Sequence, residues 1–152
     1  MGTRADFYVG RGERAEWIGS MAFDGYPEGI PATVLQSITE ASFRVTVAEM
    51  LAARDDASAP ETGWPWPWET SATTDFAYAF EGRTVYVSCF GRGWRSIEEV
   101  QAVRGTDEAE DLWEGPKTAV FPRMGDGTGG SAPAGSKRSG LLVLTIPRRL
   151  RG

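Results

Sequence analysis

The segment Trp64-Pro65-Trp66-Pro67-Trp68 restricts the fold of this chain more than any other. Proline has no backbone N–H and fixes its own φ, so prolines at alternate positions exclude a helix interior and a central strand. The segment must be part of an extended loop, which we assign to residues 57–74 and call the Trp loop. Two alternatives are open for its three indoles. The loop closes over the core as a lid, or it displays the indoles stiffly to a sugar, a base or a protein partner.

Alternating apolar residues on both sides of this loop predict two β-hairpins. Residues 5–9 and 15–23 form the first, with a Gly-rich turn between them, and residues 76–80 and 84–90 form the second. In the first hairpin, period-two spacing predicts one shared face for the side chains of Trp17, Gly19, Met21 and Phe23.

Residues 31–54 have the pattern of one long helix. Pro31 suits a first helical turn, and apolar residues then recur at spacings of three and four. The core face predicted from this spacing consists of Val34, Ile38, Ala41, Val45, Ala48 and Ala52, flanked by Leu35, Phe43, Val47, Met50 and Leu51.

Shorter elements follow the second hairpin. Ser96 and Glu99 form a capping box that predicts a helix over 97–104, a further helical turn is expected over 106–113, and residues 118–121 suggest a strand. The predicted fold class is α+β: an antiparallel sheet from two hairpins packed on one long helix, with short additional helices and a Gly-rich C-terminal tail.

Charge divides the chain unevenly. Residues 1–116 hold nine Arg and 20 acids, a net charge of −11, whereas residues 117–152 hold seven bases and one acid, a net charge of +6. We expect a single acidic domain over 1–122, a Gly/Ser-rich linker over 123–140 and a basic, strand-like tail over 141–152. The tail could dock on its own domain, pair with a partner's strand, or swap into a neighbouring copy.

The amino-acid composition excludes several kinds of catalytic and metal sites. The 152 residues include no His and one Cys, which excludes imidazole-dependent catalysis, an intrachain disulfide and Cys-rich metal sites. We expect no cofactor, no metal, no catalytic residue and no membrane span, and a cytoplasmic location. The alternative is a carbohydrate- or nucleotide-processing enzyme that uses Asp24, Glu28 or Asp75 beside the Trp loop.

The leading hypothesis is a binding module. An acidic domain repels nucleic acid and attracts basic surfaces, so the expected partner is a host protein or ribonucleoprotein complex with a basic surface. Direct contact with nucleic acid is expected only from the basic tail. The candidate partner-binding residues are Trp64, Trp66, Trp68, Glu69, Asp75, Asp24, Tyr26 and Glu28.

Several segments together resemble small uncharacterised proteins of bacterial phages, plasmids and integrative mobile elements. They are Ala5-Asp6-Phe7-Tyr8-Val9-Gly10-Arg11-Gly12, Ala15-Glu16-Trp17-Ile18-Gly19-Ser20, Asp24-Gly25-Tyr26-Pro27, Gly63-Trp64-Pro65-Trp66-Pro67-Trp68 and Thr73-Thr74-Asp75-Phe76-Ala77-Tyr78. The resemblance covers about residues 4–95 and excludes the tail. It implies a role as mobile-element cargo, such as an anti-CRISPR-like inhibitor of a host defence complex, and it implies no catalytic residue.

Overall fold

Two hairpins form the centre of a mixed, six-stranded sheet in the computed structural model, which describes residues 2–124. The strands are β1 (Ala5–Val9), β2 (Glu16–Met21), β3 (Ala57–Ser58), β4 (Phe76–Glu81), β5 (Thr84–Cys89) and β6 (Arg95–Ser96). The helices are α1 (Ala32–Leu35), α2 (Glu40–Ala52), α3 (Ile97–Ala102) and α4 (Glu108–Asp111), with 3-10 turns at Pro27–Gly29 and Ser71–Thr73. The fold therefore combines α and β structure. Of the linker predicted over 123–140, residues 123 and 124 are described; the rest of it and the predicted tail over 141–152 lie outside the described residues.

The sheet order is β3-β2-β1-β4-β5-β6. Neighbouring strands are antiparallel except for β1 and β4, which pair in parallel from Ala5 opposite Phe76 to Val9 opposite Phe80. The prediction of a wholly antiparallel sheet is therefore wrong. The long connection through α1, α2 and the Trp loop returns the chain to the end of the sheet where β1 starts, as a parallel pair requires.

The single helix predicted over 31–54 is also wrong, because the chain leaves helical geometry between α1 and α2. Thr39 has extended backbone angles, and its hydroxyl oxygen accepts a hydrogen bond from the backbone N–H of Ser42 at 3.1 Å. This N-cap starts a new helix. The restart changes which side faces the sheet: Phe43, Val47 and Leu51 are buried, whereas Val45, on the predicted face, is 54% exposed.

A β-bulge in β2 overturns the predicted face of the first hairpin. Phe7 pairs with Gly19 but the next residue, Tyr8, pairs with Trp17, so Ile18 is an extra residue on β2. One extra residue moves all side chains beyond it to the other face. As a result Trp17 lies on one face of the sheet and Met21 on the other.

The sheet separates two apolar clusters. The helix-side cluster contains stacked ring pairs, Phe7 with Tyr78 at 5.3 Å and Phe43 with Phe80 at 5.5 Å between centroids. The cluster on the other face is smaller and contains Tyr8, Trp17, Ala77, Ala79 and Phe121, with Trp64 packed against it. The helix-side cluster is the main core, and the Trp loop covers the second face.

The predicted strand over 118–121 is absent. Prolines at 116 and 122 flank this segment, and the Ala119 N–H donates to the carbonyl oxygen of Gly91, beyond the end of β5, at 3.0 Å. Its contribution is the Phe121 ring, which packs on Tyr8. Within the described part of the chain, no helix is long and apolar enough to cross a membrane.

Candidate functional site

The Trp loop folds over the sheet face opposite the helices. Trp64 packs edge-on against Trp17 of β2, with ring centroids 5.5 Å apart and planes at 74°. Its Nε1–H donates to the Trp68 carbonyl oxygen at 2.7 Å, which closes the loop on itself. The loop thus has the geometry of a lid.

The other two indoles form a stacked pair. The Trp66 and Trp68 centroids are 5.5 Å apart and the planes differ by 16°. The Trp66 Nε1–H donates to Asp6 Oδ1 at 2.6 Å, and the Trp68 Nε1–H donates to Thr74 Oγ1 at 2.8 Å. These two hydrogen bonds hold the stacked pair in place through Asp6 and Thr74.

The exposed surface of the Trp-Pro segment, residues 64–68, is apolar. Pro65 and Pro67 are exposed, and Trp64, Trp66 and Trp68 are partly buried. Because each of the three indole N–H groups is bonded inside the chain, the loop presents proline rings and indole carbon atoms to its surroundings. Such a surface suits apolar contact more than hydrogen bonding.

Asp6 is the polar anchor beneath the loop. It is completely buried in β1 and accepts hydrogen bonds from Ser20 Oγ at 2.6 Å, Ser71 Oγ at 2.5 Å and Trp66 Nε1 at 2.6 Å. Burial raises the pKa of this carboxyl above its ordinary value of 3.8, and hydrogen bonds to the side chain oppose the rise. These bonds connect β1 and β2 with two parts of the Trp loop, at Trp66 and at the 3-10 turn Ser71–Thr73.

Two further side chains extend this network. Ser20 Oγ accepts from the Trp17 Nε1–H at 3.0 Å, and the Tyr8 hydroxyl shares a 2.6 Å hydrogen bond with Ser71 Oγ. The pKa of Tyr8 is raised, first by burial and then by the negative charge of Asp6. The buried network runs continuously from the edge-on indole of Trp17 to Tyr8.

Arg4 lies at the border of the stacked indoles. Its guanidinium carbon is 6.0 Å from the Trp66 centroid and 5.5 Å from the Trp68 centroid. Its backbone N–H and its Nη1 donate to Asp75 Oδ2 at 2.9 and 3.0 Å. Asp75 therefore acts in this structure as the partner that orients Arg4 against the indoles.

Glu69 fastens the end of the described chain to the loop. Its backbone carbonyl accepts from the Met124 N–H at 2.5 Å, and its carboxylate pairs with Arg123. Met124 also packs against the apolar cluster on this face. The described chain therefore ends beside the Trp loop.

The remaining candidate residues lie on the helix side. The Tyr26 hydroxyl donates to Asp24 Oδ1 at 3.4 Å, and Glu28 pairs with Arg104 at 3.7 Å. This segment is anchored to the main core by Tyr78, whose hydroxyl donates to the Gly25 carbonyl at 2.6 Å.

The eight candidate residues thus do not form one surface. The structure brings Trp64, Trp66, Trp68, Glu69 and Asp75 together around the Trp loop and places Asp24, Tyr26 and Glu28 across the sheet. The carboxylates of the enzyme alternative are divided in the same way, and Asp75 does not line the cleft beside Glu28. Across residues 2–124, no group of three or more acidic or Cys side chains is placed to hold a metal ion.

Sequence reasoning missed Asp6 and Arg4. The available signal was the carboxylate inside the apolar strand Ala5–Val9, since period two puts Asp6 on the same face as Tyr8 and opposite Phe7. A carboxylate on a strand face that packs inward must find hydrogen-bond donors.

Comparison with known proteins adds no relative. No family model matches the chain, and neither a curated protein nor a solved structure shows significant similarity to it. The resemblance to proteins of mobile elements remains a prediction from the sequence.

Proposed function

We propose that this chain is a non-catalytic protein-binding accessory protein of a bacterial mobile element. Its partner would be a host protein or ribonucleoprotein complex with a basic surface, and its effect the inhibition of a host defence complex in the cytoplasm, in the manner of an anti-CRISPR protein. The Trp loop is the contact surface, and the acidic domain steers the partner towards it.

The rigid apolar surface of the Trp loop carries this proposal. Pro65 and Pro67 are exposed, and hydrogen bonds to Asp6 and Thr74 hold the stacked pair of Trp66 and Trp68. A contact surface fixed before binding loses little conformational entropy when a partner docks. Proline and partly buried tryptophan together offer apolar area in one defined shape, which is the composition of interface hot spots.

Net charge supports a basic partner. The net charge of −11 over residues 1–116 attracts a positively charged surface and repels nucleic acid. Attraction of this kind mainly accelerates association and weakens as ionic strength rises. The expected complex therefore forms faster at low salt.

Substitution of the exposed prolines tests the contact surface without removing an indole. Pro67→Arg adds a cation and a long side chain to the proposed contact, whereas Pro60→Arg makes the same change at an exposed proline earlier in the loop. Both variants and the parent chain are used to capture partners from bacterial host lysate, and the captured complex is then titrated in purified form.

We expect Pro67→Arg to weaken binding at least about tenfold, the loss of roughly 1.4 kcal/mol that one interface anchor contributes. Pro60→Arg should bind like the parent, and thermal melts should show that both variants fold. Equal binding by all three chains would overturn the proposed surface.

A further inference from the structure

The cleft beside Glu28 is apolar and lies on the helix side of the sheet, away from the Trp loop. Its volume is about 140 Å³. The apolar part of its lining includes Tyr26, Phe76, Val100, Val103, Leu112 and Trp113. Phe76 and Trp113 meet edge-on there, with centroids 6.0 Å apart. An apolar cavity of roughly 150 Å³ accommodates a benzene ring, so this cleft is large enough for one leucine side chain.

Acidic residues flank the cleft-lining residues Ala109, Leu112 and Trp113 in the sequence. Five acids of α4 and its flanking residues are exposed: Asp107, Glu108, Glu110, Asp111 and Glu114. Within the described residues these carboxylates have no ion-pair partner. Arg104 in the lining already pairs with Glu28, and Arg95, which donates to the Leu112 carbonyl oxygen, already pairs with Glu99, each at 3.7 Å. The cleft therefore combines an apolar floor with an acidic border, which favours a basic segment that carries one large apolar side chain.

The chain itself contains such a segment at its C-terminus. Residues 147–152 read Pro-Arg-Arg-Leu-Arg-Gly, so that Leu150 has arginines on both sides. The other leucines of the tail, at positions 141, 142 and 144, lie in a run without charged residues. We propose that residues 148–151 dock in this cleft within the same molecule, with Leu150 against the apolar floor and the arginines against the acids of α4.

The length of the chain permits this contact. Leu150 follows Met124, where the described chain ends, by 26 residues, and 26 residues span up to about 86 Å at roughly 3.3 Å each. The described part has an expected radius of gyration of about 14 Å, so the segment reaches around the sheet. Tethering also gives an effective concentration on the order of 1 mM, which makes a weak contact sufficient.

An internal occupant has a regulatory consequence. While residues 148–151 cover the acids of α4, a basic segment of another protein cannot use the same cleft. The contact thus inhibits the binding of other proteins to this cleft and to no other surface. The inference does not depend on the Trp loop's being a binding site, since the two surfaces lie on opposite sides of the sheet.

Nuclear magnetic resonance of the ¹⁵N-labelled chain of 152 residues tests the contact directly. The reporters are the backbone amides of Val100 and Val103 and the indole N–H of Trp113. Leu150→Ala is compared with Leu141→Ala, a matched change at a tail leucine without flanking charge. We expect Leu150→Ala to shift all three signals and Leu141→Ala to leave them in place.

Charge is tested on the other side of the contact. Glu110→Lys combined with Asp111→Lys should abolish the response of Val100 and Val103 to Leu150→Ala, whereas Glu49→Lys, at an exposed acid of α2, should not. Raising the salt from about 0.1 M to about 1 M shortens the Debye length from about 10 Å to about 3 Å and should at least halve that response.

Two results would overturn the proposal. If the signals of Val100, Val103 and Trp113 do not shift in Leu150→Ala at low salt, the segment does not occupy this cleft. A response that disappears on tenfold dilution would show that the segment docks on a second copy instead of its own domain. Binding assays with Pro67→Arg are unaffected by either result, so failure here and failure of the proposed function remain distinguishable.

Discussion

At the residue scale, Asp6 shows how burial and hydrogen bonding oppose each other. Removing a carboxylate from water strongly disfavours its charged form, and three donors only partly offset that cost. The described residues place no cation in contact with this carboxylate. Its benefit is connectivity, because one side chain joins Ser20, Ser71 and Trp66 from three different segments.

Substitutions at Asp6 separate the hydrogen bonds from the charge. Asp6→Ala removes the carboxylate that accepts from Ser20, Ser71 and Trp66, so we expect a loss of about 2–4 kcal/mol in the free energy of unfolding. Asp6→Asn keeps one oxygen for Ser20 and Trp66 and offers an amide to Ser71. At neutral pH it should lie within about 1 kcal/mol of the parent, since weaker hydrogen bonds are offset by the relief of charge burial. Urea unfolding measures both, and an Asn variant as unstable as the Ala variant would contradict this account.

The same pair of proteins gives a pH dependence with a definite sign. The folded pKa of Asp6 is raised above 3.8, so its contribution to stability is present at pH values below 3.8 and is lost as pH rises through the folded pKa. The parent should therefore gain stability relative to Asp6→Asn as the solution is acidified. A stability difference that is constant between neutral pH and pH 4 would contradict the raised pKa.

At the scale of elements, the Trp loop depends on two indole hydrogen bonds of unequal strength. Trp66 donates to a buried carboxylate and Trp68 donates to the hydroxyl of Thr74. Bonds to charged groups contribute about 1.5–3 kcal/mol, and bonds between neutral groups contribute about 0.5–1.5 kcal/mol. Trp66→Phe should therefore destabilise the protein more than Trp68→Phe, although both variants keep an aromatic ring. Thermal unfolding of the two variants measures the order, and the reverse order would show that Asp6 is not the main anchor.

Local patterns predicted individual elements better than their arrangement. Alternation located all four hairpin strands, and Ser96 caps α3 as its spacing with Glu99 indicated. The prediction of which side chains face the core failed because of single residues. Ile18 adds a bulge that reverses one strand, and Thr39 restarts a helix so that Phe43 faces inward and Val45 outward. Gly19 follows the bulge at φ 155°, where a Cβ would collide with Leu51, and only the tertiary structure reveals that close approach.

At the scale of the whole molecule, the parallel pairing of β1 with β4 determines which residues meet. It places the start of β4 beside Arg4 and Asp6, so the residues just before β4 come over the second face with the Trp loop. Pairing between distant strands has no local sequence signal, and the candidate site was therefore predicted as one group although the sheet divides it. The Trp loop was identified from sequence, whereas its anchor Asp6 was missed although it is a carboxylate inside an apolar strand.

The connection between the first hairpin and the helices depends on one carboxylate. Asp56 Oδ2 accepts from the backbone N–H groups of Ala22 and Phe23 at 3.1 and 2.8 Å, and its other oxygen accepts from Arg54 Nε at 2.7 Å. Hydrogen bonding by Arg54 is the main reason that the pKa of Asp56 is lowered below 3.8. Asp56 therefore stabilises the fold above pH 3.8, and that contribution is lost as pH falls through the lowered folded pKa, which is the opposite sign to Asp6.

Asp56→Asn should consequently cost about 1–2 kcal/mol at neutral pH and reduce the loss of stability on acidification, because the group that titrates has been removed. The adjacent Asp55 provides a matched control, since it is exposed and has no ion pair among the described residues. Asp55→Asn removes the same charge. It should measurably change neither the free energy of unfolding at neutral pH nor the way in which that free energy falls on acidification. Urea unfolding from pH 7 to pH 3 compares the two variants with the parent. If both variants behave alike, net charge accounts for the loss of stability at low pH, and the hydrogen bonds of Asp56 do not.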